Sequence, residues 1–240
     1  MNGLSSVFNL LAYVAAAIFV LGFLNKVIQY FRVPSPLKIA TTPAPKTSAG
    51  VVLRLIPEIL FFRSLLKGGT TEKILWVGGW FFHVSFLLLV LRHLRFFTYP
   101  VPGFVMSFME IGIWAGLIFP ITLLILIVRR FTNDRLAVIS LFQDYFVLVL
   151  ILAIGLTGLL LKFFVRTNLV DVKAFIFGLV TFSPAQMPDS TLFLIHFSLI
   201  LILLVYFPFS KLMHAWGVLM SPARAQADNP REVRHVNPWA

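Results

Sequence analysis

The chain has 240 residues, of which 59% are hydrophobic and only 12% charged, and this balance, with a mean hydropathy of +0.93, excludes an ordinary soluble domain. Its net charge of +11 does not mark a nucleic-acid binder, because the basic residues cluster at the ends of apolar runs and not on aromatic-interleaved patches. The absence of cysteine excludes disulfides, a Cys-ligated iron–sulfur cluster and the covalent attachment of a c-type haem to this chain.

Such a length accommodates about five or six spans of roughly 20 residues each. The first span occupies residues 1–31; its apolar stretch from Val7 to Tyr30 has no basic leader and no small-residue cleavage site, so it reads as a retained span. Residues 32–73 form a polar, basic loop. Within it VVLRLIPEILFFRSLLK mixes apolar residues with Arg54, Glu58, Arg63 and Lys67, too short and too charged to cross, and the expectation is an interfacial helix beginning near Pro57.

Span two is expected over about 74–97, with Tyr99, Pro100, Pro102 and Gly103 as its exit turn. Span three, about 105–128, ends in Arg129 and Arg130, and span four, about 137–162, follows the polar turn TNDR. Residues 163–190 make a second long connection, in which AFIFGLVTF reads as a short surface helix. Span five runs from about Thr191 to Trp216, closing a four-helix region over 74–216, and the polar tail 217–240 has no reason to fold alone.

Five spans put the termini on opposite sides. Of the 20 Lys and Arg residues all but Arg92, Arg95, Lys162, Arg166 and Lys173 fall on the side of the 32–73 loop, the 129–136 turn and the tail. The positive-inside rule then predicts an N-terminus outside and a C-terminus in the cytoplasm, making 163–190 extracytoplasmic. The predicted fold class is an all-α integral membrane protein with five transmembrane helices.

Four of the five histidines lie in two of these spans: His83 and His93 in WFFHVSFLLLVLRHLRFF, His196 and His214 in LFLIHFSLILILLVYFPFSKLMHAW. Imidazole is costly in hydrocarbon unless something takes its lone pair, and a haem iron between two neutral imidazoles does so. Spans two and five run antiparallel, so His93 is expected level with His196, and His83 with His214. The pattern points to two b-type haems within the bundle.

The spacings differ, however. Ten helical residues rise about 15 Å and eighteen about 27 Å, so tilt or a break near Pro208 must absorb the difference. The bland alternative for each histidine is a hydrogen-bonded packing residue; His235 in the tail reads as solvated or docked on a partner.

At these residues the chain resembles the gamma subunit of respiratory nitrate reductase, a five-span dihaem cytochrome b: FPFSKLMHAW and the His83–His93 and His196–His214 intervals carry the likeness. It is more similar to the DsrM family, the cytochrome b subunits of the Dsr (DsrMKJOP) membrane complex of sulfur-metabolising prokaryotes. The motifs are LFFRSLL at 60–66, LRHLRFFTYPVPGFV at 91–105, DYF at 144–146, GLVTFSP at 178–184, YFPFSKLMH at 206–214 and RHVNPW at 234–239.

The resemblance implies an electron-transfer subunit of a quinone-linked oxidoreductase complex in the cytoplasmic membrane. It would join the quinone pool to a cytoplasmic iron–sulfur subunit, DsrK, which resembles the catalytic subunit of heterodisulfide reductase. Electrons would serve reduction of the trisulfide carrier DsrC or run the other way in sulfur oxidisers. A periplasmic multihaem cytochrome c, a periplasmic iron–sulfur protein and a second membrane subunit would complete the complex. The four histidines carry over as axial ligands in the pairs above. The nitrate reductase subunit's quinol-site lysine near the start of span three has no counterpart in VMSFMEIG, residues 105–112.

Other residues invite two readings. Glu110, expected about a turn and a half into span three, is either a quinone-proximal proton acceptor or a structural carboxyl. Asp144 reads as a structural partner of Arg129, Arg130 or Arg135, with a proton path as the alternative. Arg92 and Arg95 flank His93 and either bind haem propionates or simply snorkel. Gly78 and Gly79, one turn before His83, permit close approach of a haem edge or a neighbouring helix, Gly155 and Gly158 form a loose small-residue contact face, and helix packing alone explains either pair. The competing function classes are a gamma-type cytochrome b of another quinone-linked oxidoreductase, a proton-conducting membrane protein using Glu110 and Asp144, and a cofactor-free membrane anchor.

Overall fold

A computed structural model describes residues 3–33, 40 and 43–234, and among them every regular element is helical. In chain order these are α1 (Gly3–Arg32), α2 (Ser48–Phe61), α3 (Arg63–Leu66), α4 (Thr70–His93), α5 (Gly103–Ser107), α6 (Ile111–Thr132), α7 (Asp134–Ile139), α8 (Phe142–Phe163), α9 (Leu169–Val180), α10 (Thr191–Tyr206), α11 (His214–Gly217) and α12 (Pro222–Ala225). His235 and most of the RHVNPW motif lie outside the described residues.

Five helices are long and apolar enough to cross a membrane: Gly3–Arg32, Thr70–Phe96, Ile111–Thr132, Phe142–Phe163 and Thr191–Phe209. Some of their polar residues bond within the helix, as Thr122 Oγ1 does to Phe119 O at 3.0 Å and Ser198 Oγ to Leu194 O at 2.8 Å.

Several boundaries differ from the sequence expectation, each for a local reason. The interfacial helix starts at Ser48, well before Pro57, because Thr47 caps it by accepting the Gly50 amide at 3.1 Å; Pro57 sits inside. Span three starts at Ile111, after α5 and a turn, so Glu110 is an exposed residue at the helix N-cap and not inside the span. Span four starts at Phe142. Asn133 caps a separate α7 by accepting the Leu136 amide at 3.2 Å, and Asp144 Oδ2 accepts the Leu141 amide at 3.1 Å to start α8 afresh.

Span five is helical only to Tyr206, followed by a 3₁₀ turn over Phe207–Phe209 and an extended Ser210. The Pro208 interruption is therefore a full break, and His214 begins its own short helix, α11. A continuous rise of about 27 Å between His196 and His214 does not apply to such a chain.

The chain divides into two units, residues 1–19 with 77–206, and residues 20–76 with 207–240. In the first, the core gathers Ala12, Ala15, Val172, Phe175, Met187, Phe193, Phe197 and Leu201. The sequence placed the apolar segment of the 163–190 connection at the surface; instead Phe175 of α9 is fully buried, edge-on to Phe193 and Phe197 at 6.0 and 5.4 Å. The Tyr13 hydroxyl donates to Leu179 O at 3.2 Å and the Met187 amide to Ser5 Oγ at 3.1 Å, fixing α1 against this connection.

In the second unit the tail is not independent. Arg224 Nη1 meets Glu58 Oε2 at 2.7 Å, Arg224 Nη2 donates to Ser64 Oγ at 3.1 Å, and the Asp228 amide donates to Pro45 O at 2.9 Å. These bonds lay the tail along α2 and α3. Gly22 lets Pro208 sit on the backbone of α1, where an added Cβ would come within 2.7 Å of the Pro208 Cβ, and the Trp216 ring packs edge-on against Phe23 and Phe31.

Candidate functional site

The four span histidines share one hydrogen-bonding arrangement. His83 Nδ1 lies 2.7 Å from Gly79 O, His93 Nδ1 2.6 Å from Leu89 O, and His214 Nδ1 2.8 Å from Lys211 O. A carbonyl oxygen only accepts, so in each of these three rings Nδ1 is the donor. His196 reaches the same state by another route: its Nδ1 lies 2.8 Å from Thr157 Oγ1 on α8. The Thr157 hydroxyl proton is directed at Ala153 O, 2.7 Å away, so the hydroxyl oxygen accepts from the ring. All four imidazoles thus donate from Nδ1, the hydrogen-bonding arrangement used by a histidine that ligates through Nε2.

Space around the rings is consistent with a large planar ligand. Gly79 is buried, yet a Cβ built on it would meet no heavy atom within 4 Å, whereas one on its neighbour Gly78 would meet Leu126 at 3.1 Å. His93 is exposed, and His196 is 9% exposed.

The two glycines of span four, read from sequence as a loose contact face, have separate tasks. A Cβ at Gly158 would stand 3.3 Å from His196 Cε1, and one at Gly155 would strike the Phe119 ring at 2.8 Å. Phe119 in turn stacks on Phe82 and Phe86 at 5.3 and 6.1 Å, beside His83.

Arg92 packs within the protein. It is 9% exposed, and its stem crosses Gly112 so closely that a Cβ there would be 2.7 Å from Arg92 Cδ. Arg95 lies over the Phe96 ring at 4.5 Å, its Nη1 is 4.0 Å from Met109 Sδ, and its Nε is buried without a hydrogen-bond partner. Two guanidinium groups that pair with no carboxylate among the described residues, beside the His93 imidazole, suit the anionic edge of a bound group. These features together fit a haem held by histidine. Asp144, 5% exposed, is 3.6 Å from Arg130 Nη1, and Arg130 also donates to Ser140 Oγ at 2.6 Å.

Residues 50–224 match the model of the nitrate reductase gamma subunit family. The chain belongs to that family. It is similar to two archaeal proteins named Hdr-like menaquinol oxidoreductase cytochrome b-like subunit. With the one from Archaeoglobus fulgidus it shares 36% identity over 95% of its own length and 81% of the relative's. With the one from Archaeoglobus profundus the figures are 33%, 97% and 82%. Membership of this gamma subunit family, with five span-length apolar helices, makes the chain a multi-pass membrane protein.

Sequence reasoning missed Thr157 and the contact of Gly158 with His196. A signal was present: the pair interrupts an apolar helix in its second turn from the end, and His196 occupies the second turn of α10, a helix that packs against α8. Depth matching between neighbouring antiparallel spans would have brought them together.

Proposed function

We propose that this chain is a dihaem cytochrome b subunit that exchanges electrons between a quinol and an iron–sulfur protein on its cytoplasmic side. The observation that carries the reading is the common Nδ1-bonded state of His83, His93, His196 and His214. The names of the two relatives support menaquinol as the quinol. The sequence resemblance supports a DsrK-like subunit as the partner and dissimilatory sulfur metabolism as the setting, and the basic loop and tail, with the C-terminus in the cytoplasm, would form the docking side. A periplasmic multihaem cytochrome c, a periplasmic iron–sulfur protein and a second membrane subunit would belong to the larger complex.

In this reading His93 and His196 hold one haem and His83 and His214 are the remaining ligands. Two b-type haems, when bound, supply one-electron carriers within the membrane. The protein's residues do the rest. Arg92 and Arg95 hold propionates near His93 by charge-assisted bonds, and the apolar packing around Phe82, Phe86 and Phe119 excludes water. Glu110, exposed at the start of α6, accepts the proton that a quinol releases.

The test is a reduced-minus-oxidised spectrum with pyridine haemochrome quantitation on the purified membrane protein, wild type and His196→Ala. Two b-type haems per chain, one of them lost in the variant, is the expected result. A folded wild-type protein that binds no haem overturns the reading.

A further inference from the structure

We infer that Thr157 is a positioning residue for the haem ligand His196 and sets the potential of the haem that His196 holds. The inference rests on the dihaem reading above. Its ground is an asymmetry among the four rings. His83, His93 and His214 each donate to a backbone carbonyl three or four residues earlier, which no side-chain substitution can delete. His196 instead directs its Nδ1 to a side chain, and that side chain stands on a different helix.

The local geometry is built for this contact. Thr157 Oγ1 is held by its own helix, 2.7 Å from Ala153 O and 3.1 Å from Ile154 O, so its position does not depend on the histidine. Gly158, the next residue, removes the Cβ that would otherwise stand 3.3 Å from His196 Cε1. One residue supplies the acceptor and its neighbour supplies the room. Together they fix both the rotation of the imidazole and its tautomer.

The chemical consequence follows from the proton. A hydrogen bond donated from Nδ1 gives the ring imidazolate character and makes Nε2 a stronger donor, which favours oxidised over reduced iron. Removing the acceptor weakens that preference. Loss of such an outer partner changes metal affinity by about 10–100-fold, and even a tenfold change in relative affinity for the two oxidation states moves a one-electron midpoint by about 59 mV.

The experiment is a redox titration of the purified full chain carrying Thr157→Val or Thr157→Ser, with haem content and the ferric low-spin EPR signals measured on the same samples. Valine keeps the shape and deletes the hydroxyl; serine keeps the hydroxyl. The expected result is two haems in both variants, one midpoint raised by about 59 mV and one EPR signal displaced in Thr157→Val, and wild-type values in Thr157→Ser. Loss of one haem in the valine variant alone also supports the inference.

Two outcomes overturn it. Unchanged midpoints in a fully loaded Thr157→Val protein would mean that another acceptor, such as the Ile154 carbonyl beside the same ring, suffices. Haem loss or a shifted midpoint in Thr157→Ser, with wild-type values in Thr157→Val, would mean that the threonine acts by shape. Either leaves the dihaem function standing, whereas a wild-type chain without haem removes that function itself.

Discussion

Gly158 lies against His196 so closely that an added Cβ would stand 3.3 Å from the ring carbon Cε1. The ring cannot swing freely away, because Thr157 holds its Nδ1 at 2.8 Å. Gly158→Ala is expected to keep both haems while shifting one midpoint, and Gly158→Leu to lose one haem. Haemochrome content and redox titration check both.

Gly79 supplies the opposite case. A Cβ there meets nothing in the chain, so Gly79→Ala is sterically free for the protein alone. If a haem edge uses that space, this methyl is felt only by the cofactor. The expected outcome is an apoprotein of unchanged thermal stability and a holoprotein with weakened or missing haem beside His83, compared by thermal unfolding of the two forms.

Asp144 tests structure against proton transfer. Its carboxylate starts α8 through the Leu141 amide and pairs with Arg130 at 3.6 Å. Arg130 is 29% exposed and is rehydrated when the pair is lost, so Asp144→Ala should cost about 1–2 kcal/mol, nearer the value of a helix cap than the ~3–5 kcal/mol of a fully buried pair. Asp144→Asn, which keeps an acceptor for the amide, should cost less. Denaturant unfolding reads the loss, and unchanged quinol oxidation in Asp144→Asn would assign the residue to structure.

The ion pair between Arg224 and Glu58 should be weak in energy and decisive in position. Arg224 is 37% exposed, so the pair contributes about 0.5–1 kcal/mol. Arg224→Ala should therefore raise proteinase K cleavage of the tail by only a few-fold, with haem content unchanged, and the exchange of Glu58→Arg with Arg224→Glu should restore protection.

Much of this was legible in the sequence because hydropathy and charge act locally. The five spans follow from long apolar runs, and the break at Pro208 follows from its missing amide. The starts of α6 and α8 were hidden, since VMSFMEIG and LAVISLF continue the apolar pattern; α6 begins without a side-chain cap, and the caps that separate α7 and α8 are single polar atoms of Asn133 and Asp144. The burial of Phe175 and the Thr157–His196 bond were hidden for a different reason. Both are made between helices distant in sequence, and a threonine or phenylalanine in an apolar run carries no local mark of its partner.

The clasp between tail and loop also constrains biogenesis. Glu58 emerges from the ribosome long before Arg224, its partner 166 residues later, and all the intervening spans must be threaded through the insertion machinery first. Until Arg224 has been made, α2 and α3 lack the segment that clasps them, so the clasp closes only on chains in which the four apolar helices between Glu58 and Arg224 already exist.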